Sequence, residues 1–188
     1  VTIIVFLIVA ISNINAQEKR IALVIGNSSY TNSPLKNPVN DANLMATTLQ
    51  ELGFTVIKRL NATKVEIESS VQQFSEKLSY SNVALFYYAG HGMQSNGINY
   101  IIPVNAQLIK ESDLKFKAVS INFVIDEFLQ YPNNTNIVIL DACRDNPLAT
   151  WERGGVRGFK AINPSNGTII AFATAEGKTA SDGDGVNG

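Results

Sequence analysis

The chain has 188 residues, 45% of them hydrophobic, and a formal net charge of −1. That is the size of one domain with a buried core; it excludes a disordered chain and gives no charge with which to bind nucleic acid or an acidic membrane. Histidine and cysteine each occur once, which excludes an internal disulfide and a cysteine–histidine zinc cage, since the latter needs about four ligands.

Val1 to Ile11 is apolar except for Thr2, and the polar Ser12 to Ala16 leads into charged Glu18, Lys19 and Arg20. This pattern predicts the end of a secretory signal peptide over residues 1–16, truncated at its start, with Ala16 before the cleavage point. An N-terminal membrane anchor is the rival, although the visible run is shorter than the roughly 20 residues of a spanning helix. Either reading places the domain outside the cytoplasm, secreted or periplasmic. No membrane contact is expected beyond this segment.

Arg20 to Gly26 is a continuous apolar run ending at glycine, the pattern of a buried parallel strand. Asn27 to Pro38 reads as a loop. Asn40 or Asp41 is expected to cap a helix running to Leu52, with Leu44, Met45, Leu49 and Leu52 near one face. Phe54 to Leu60 reads as a second strand. Thr63 and Glu66 fit a capping box, and the helix behind them carries Val71, Phe74 and Leu78 at spacings of three and four.

Val83 to Tyr88 is a third apolar run leading into Ala89-Gly90-His91-Gly92. Asn99 to Val104 suggests a short extra strand, and Ser120 to Gln130 a helix presenting Val124, Phe128 and Leu129. Asn136 to Leu140 is a fourth strand leading into Asp141-Ala142-Cys143-Arg144, and Thr168 to Ala173 a fifth. Asp145 to Asn166 reads as a long loop. Strand–helix alternation predicts an α/β fold: a mostly parallel sheet with helices on both faces.

Ligands of open parallel sheets bind beyond the carboxyl ends of the strands. His91 and Cys143 each follow such an end by three residues. Adjacent strands lie about 4.8 Å apart, so the two side chains can face one another. A thiol is mostly protonated at neutral pH and reacts as the thiolate. An imidazole beside it can take that proton and return it to a leaving amine. The N–H groups of Gly92 and Cys143 are candidates for stabilising an oxyanion. Taken singly, a lone cysteine is more often an inert buried side chain, and a lone histidine a structural one. Their shared location favours chemistry.

Tyr87-Tyr88-Ala89-Gly90-His91-Gly92 and Leu140-Asp141-Ala142-Cys143-Arg144 resemble the histidine and cysteine motifs of caspase-like cysteine peptidases, most closely the paracaspases and the bacterial orthocaspase-like proteins. Ile21 to Asn27 and Tyr30 also fit. His91 stands 52 positions before Cys143, and about 50 is usual in caspases. Asp141 departs from the glutamine of the caspase signature. The resemblance covers Lys19 to Gly188 and implies a caspase-like three-layer sandwich. It also implies that this region is the large subunit with the start of the small one, cut short at its C-terminus.

The resemblance further implies a cysteine endopeptidase that cleaves peptides or proteins after Arg or Lys. Its basic-residue pocket would use Asp41, Asp141 and Asp182, with Asp184 as rival to the third. Arg suits such a pocket through paired bonds to carboxylates. For Asp41 a helix N-cap is the plainer role, and for Asp182 and Asp184 a turn. No metal site and no cofactor are expected. Calcium is left open, because Asp182-Gly183-Asp184-Gly185 lacks the later Glu of an EF-hand. Self-processing at Arg153, Arg157 or Lys160, and dimerisation, are also left open. The principal rival is an inactive scaffold module of the same fold. A flavodoxin-like nucleotide-binding domain is disfavoured, for want of GxGxxG or a Walker A loop.

Overall fold

The computed structural model describes residues 18–143 (Cys143 by its backbone), 159, 162 and 167–173. The expected signal peptide, Asp182, Asp184 and the three basic loop residues lie outside these. Among the described residues no helix is long and apolar enough to cross a membrane.

Five parallel strands form the sheet's main body. These are β1 (Arg20–Gly26), β2 (Phe54–Leu60), the first part of β3 (Val83–Ser95), β6 (Thr135–Cys143) and β7 (Thr168–Phe172). Their order is β2-β1-β3-β6-β7, all parallel. The upper part of β3 turns to an antiparallel partner, β4 (Ile98–Ile101), which pairs in turn with the two-residue β5 (Val119–Ser120). A short α3 (Leu114–Lys117) precedes β5. The α/β sandwich expected from alternation is thus observed.

The strands' alternation builds two cores. Ile21, Leu23, Ile25, Phe86 and Tyr88 face α2 (Lys64–Leu78) and α4 (Ile121–Leu129), meeting Ile67, Val71, Phe74, Val124 and Phe128. Ala22, Val24, Leu85, Tyr87 and Ala89 face α1 (Pro38–Glu51). The capping box forms as expected: Thr63 Oγ1 accepts from the Glu66 N–H, and Glu66 accepts from the Thr63 N–H at 2.8 Å.

Three expectations are corrected. The α1 helix starts earlier, with Asn37 as N-cap and Pro38 as its first residue. Proline lacks the N–H that would be orphaned there, and its φ suits a first turn. Asn40 and Asp41 therefore lie inside the first turn rather than at the N-cap. Second, α1 buries Ala42, Ala46 and Leu49, while Leu44 and Leu52 are each 55% exposed. The alanines allow close approach: a Cβ on Gly26 would strike the Pro38 carbonyl oxygen and come within 2.5 Å of the Ala42 Cβ. Third, β3 does not end at Tyr88 nor β6 at Leu140. The apolar run stops there, but the extended backbone continues through His91 and Cys143.

Candidate active site

His91 and Cys143 are the last residue pair in the parallel register of β3 and β6. They lie within the strands rather than beyond them: Cys143 is the last residue of β6, and His91 is the last residue of β3 to pair with β6 before β3 runs on to Ser95. Alternate residues of a strand share a face, so Tyr87, Ala89 and His91 lie on one face of β3. Asp141, paired with Ala89, shares that face.

His91 is 1% exposed and fixed from several sides. Its Nε2 lies 2.7 Å from the Ser33 carbonyl oxygen. A carbonyl can only accept, so Nε2 carries the proton and Nδ1 is the basic nitrogen of the neutral ring. The Tyr30 ring packs on the imidazole with centroids 4.4 Å apart. The His91 N–H donates to Tyr30 Oη at 3.0 Å, and the Tyr88 hydroxyl donates to the His91 carbonyl at 2.8 Å. The two phenol oxygens are 3.1 Å apart, and each lies 3.1 Å from the Ile102 carbonyl. Each phenol has one proton. With Tyr88 serving His91, Tyr30 is left to donate to Ile102.

Gly90 makes room for this network. Its φ is +151°, and a Cβ there would lie 2.6 Å from both phenol oxygens. Gly92 is equally confined, since its Cβ would strike the Phe159 ring and approach the Ala142 Cβ to 2.9 Å. The peptide groups of Gly92 have a defined direction. Asn27 donates to the Ala89 carbonyl on the β1 side, and Ile102 donates to the His91 carbonyl on the same side. Alternate residues of a strand point their peptide groups to opposite edges. The Gly92 N–H is therefore turned to the β6 edge, where Cys143 ends its strand.

The acidic residues gather around Tyr87. Its hydroxyl donates to Asp141 Oδ2 at 3.2 Å. Burial, then the charges of Asp141 and Asp41, push the Tyr87 pKa far above the usual phenol value. Asp41 and Asp141 are half-buried. Two of the three expected acids thus share one neighbourhood, on the face that carries His91. The sequence reading missed Ser33, Tyr30 and Tyr88 as supports of the histidine. Ser33 acts through its backbone and leaves no side-chain signal.

Residues 19–188 match the model of the Peptidase C14 family, the caspase domain. The chain belongs to that family, which places it among the cysteine peptidases. It is 30% identical over 167 residues to human mucosa-associated lymphoid tissue lymphoma translocation protein 1, and 31% identical to the mouse homolog. Each match covers 86% of this chain and 19% of the relative, so the chain spans about a fifth of the length of these relatives. Among solved structures it resembles the Drosophila initiator caspase Dronc, with a TM-score of 0.56 at 12% identity over 83% of this chain and 54% of that one. A Geobacter sulfurreducens protein gives 0.53 at 16% identity, over 68% and 51%. These two likenesses bear on the fold alone.

Proposed function

We propose that the chain is a cysteine endopeptidase with Cys143 as nucleophile and His91 as its acid/base partner, cleaving after Arg or Lys. The observation that carries this reading is the register pairing of the chain's single histidine with its single cysteine, where the parallel pairing of two adjacent strands ends.

The reading implies the following chemistry. With the Nε2 proton directed at Ser33, Nδ1 takes the thiol proton. The thiolate attacks the scissile carbonyl carbon and a C–S bond forms. The resulting oxyanion is met by the N–H groups of Gly92 and Cys143. Collapse breaks the C–N bond, and the imidazolium returns its proton to the departing amine. Water, deprotonated by the same imidazole, then hydrolyses the thioester and restores the thiol.

Asp41 and Asp141 beside Tyr87 supply the charge for a cationic side chain, with Asp182 as the third member of the pocket. Self-cleavage at Arg153, Arg157 or Lys160 follows from the same specificity, and fragments that persist in Cys143→Ala would exclude it. The apolar Val1 to Ile11 with Ala16 supports export of the domain.

The test is a positional scan of fluorogenic peptides with covalent labelling by an arginyl chloromethyl ketone. Hydrolysis after Arg and Lys is expected, together with labelling at Cys143 that is lost in Cys143→Ala and strongly slowed in His91→Ala. Preference for Asp before the scissile bond would overturn the specificity. Absence of both hydrolysis and labelling would leave the scaffold reading.

A further inference from the structure

A cavity of about 450 Å³ lined in part by Tyr30 and Ile102 has no part in the reading above. That volume falls in the range of small-ligand sites, roughly 300–1,000 Å³. Two of its walls are bonded directly to the histidine. Tyr30 accepts from the His91 N–H at 3.0 Å, and the Ile102 N–H donates to the His91 carbonyl at 3.0 Å. Thr31 and Asn32, also in the wall, belong to the loop whose Ser33 carbonyl holds Nε2.

The lining has a definite chemistry. Ile102 and Leu108 are buried at 2% and 7% exposure, and with Val104 they pack in one apolar cluster with Tyr30. Asn32 and Gln107 stand exposed at the rim, next to Ile109, which is 77% exposed. Among the described residues that line the cavity none is charged. A charged group entering it would lose water and meet no counter-charge among them. Another cavity, of about 420 Å³, lies beside Arg20 and Tyr80 at the opposite ends of the strands and is remote from His91.

We infer that the cavity beside Tyr30 is a subsite for an aliphatic side chain in the leaving half of the substrate, within the first two residues after the scissile bond. This rests on the peptidase reading. The imidazole must reach the departing amine, so the chain beyond the scissile bond passes on the imidazole's side. Asp41 and Asp141 lie around Tyr87, toward α1 and β6. Tyr30 and Ile102 lie on the β1 and β4 edge. The residue held by the acids and the residue held by the cavity therefore fall on opposite sides of the broken bond.

The experiment uses quenched fluorescent peptides with Arg before the scissile bond and Leu, Gly, Asp or Lys in each of the next two positions. A peptidyl-Arg coumarin amide, which has no residue after the bond, is run alongside. Leu is expected to raise kcat/KM over Gly about tenfold at one of the two positions, as burying a small apolar group in a fitted pocket does, with Asp below Gly. Ala106→Trp fills the cavity and Ile109→Asp charges its rim. Each should bring the Leu-to-Gly ratio toward one. A ratio taken within one enzyme is insensitive to the fraction folded, and Ile109 is exposed, so at least one variant stays readable. Cleavage of the coumarin amide with a wild-type ratio near one, or a ratio unmoved in the variants, overturns the subsite and leaves the peptidase reading intact. Failure to cleave either kind of substrate overturns both.

Discussion

Tyr87 and Tyr88 are neighbours on β3, yet their hydroxyl groups end in opposite chemistry. Tyr88 projects into the core under α2 and α4 and reaches past Gly90 to neutral partners: the Tyr30 phenol and the His91 and Ile102 carbonyls. Tyr87 projects toward α1 and meets the Asp141 carboxylate, with the Asp41 charge nearby. The pleat thus separates two tasks at one strand end. One face of β3 anchors the backbone that carries the imidazole. The other gathers negative charge. A change on one face should leave the other largely intact, and the following substitutions test that division.

The largest effect is expected from Gly90→Ala, which strikes the Tyr88 side. An L-residue at this φ costs about 1–3 kcal/mol, and forcing a methyl against two phenol oxygens costs about 1–3 kcal/mol more. Urea unfolding should show the midpoint fall accordingly, with peptide hydrolysis lost even where the protein remains folded. If Gly90→Ala is stable and active, the phenol network does not constrain the histidine and the contrast between the two tyrosines loses its meaning.

Asp141→Asn attacks the other face. An amide keeps an acceptor for the Tyr87 hydroxyl, so stability should change little. The charge is lost, and hydrogen bonds to charged groups are worth about 1.5–3 kcal/mol. Hydrolysis after Arg should therefore fall on the order of 10- to 100-fold, mainly through KM. The Tyr88 side, which holds the His91 backbone, predicts the reverse pattern, a fall in kcat. Equal losses of kcat in both variants would mean the two faces are coupled.

How much of this was legible beforehand depends on which part of a residue acts. Buried runs such as Leu23 to Ile25 and Val83 to Tyr88 marked their strands by hydrophobicity, and Thr63 with Glu66 marked a helix start. Asp141 was legible from the family resemblance and from its place at a strand end two residues before Cys143, where a carboxylate would attract a cationic side chain. Asp41 came from family resemblance, and its true place in α1 was hidden because Asn37-Pro38 reads as loop. The ends of β3 and β6 were missed because hydrogen bonding continued after apolar residues ran out. The phenol network was invisible for a different reason. It depends on Tyr30, Tyr88 and Ile102 meeting in three dimensions, and no local pattern encodes that.

Tyr30→Phe sharpens the comparison at a smaller scale. It keeps the ring against the imidazole and the Ser33 bond, but leaves the His91 N–H without its phenol acceptor, a loss of about 1–3 kcal/mol for a buried donor. We expect kcat to fall about tenfold with KM nearly constant. Because His91 is the chain's single histidine, one imidazole signal is observable by NMR without assignment. Its ring ¹⁵N shifts should report the Nε2–H tautomer in the wild type and in Tyr30→Phe alike, because the Ser33 carbonyl is kept while the lost bond is to the backbone N–H. A mixture of tautomers in the variant would mean that the hydroxyl acts on the ring and not through the backbone.

The smallest effect belongs to Tyr87→Phe, and it appears only at high pH. Burial and the two carboxylates raise the folded-state pKa of Tyr87 above its unfolded value of about 10. The folded protein therefore holds this proton more tightly than the unfolded chain. That contribution is complete below about pH 10 and is lost as pH rises toward the folded value. Removing the phenol removes the linkage. Near pH 7 stability should shift by about 1 kcal/mol or less, the net worth of an ordinary hydrogen bond. Above pH 10 the wild type should lose stability with a slope that Tyr87→Phe reduces. Tyr100, raised by burial alone, supplies the control, because its response owes nothing to Asp41 or Asp141. If Asp141→Asn also reduces the alkaline slope while Tyr100→Phe keeps the Asp141-dependent part, the charge beside Tyr87 is what separates the two faces of the strand.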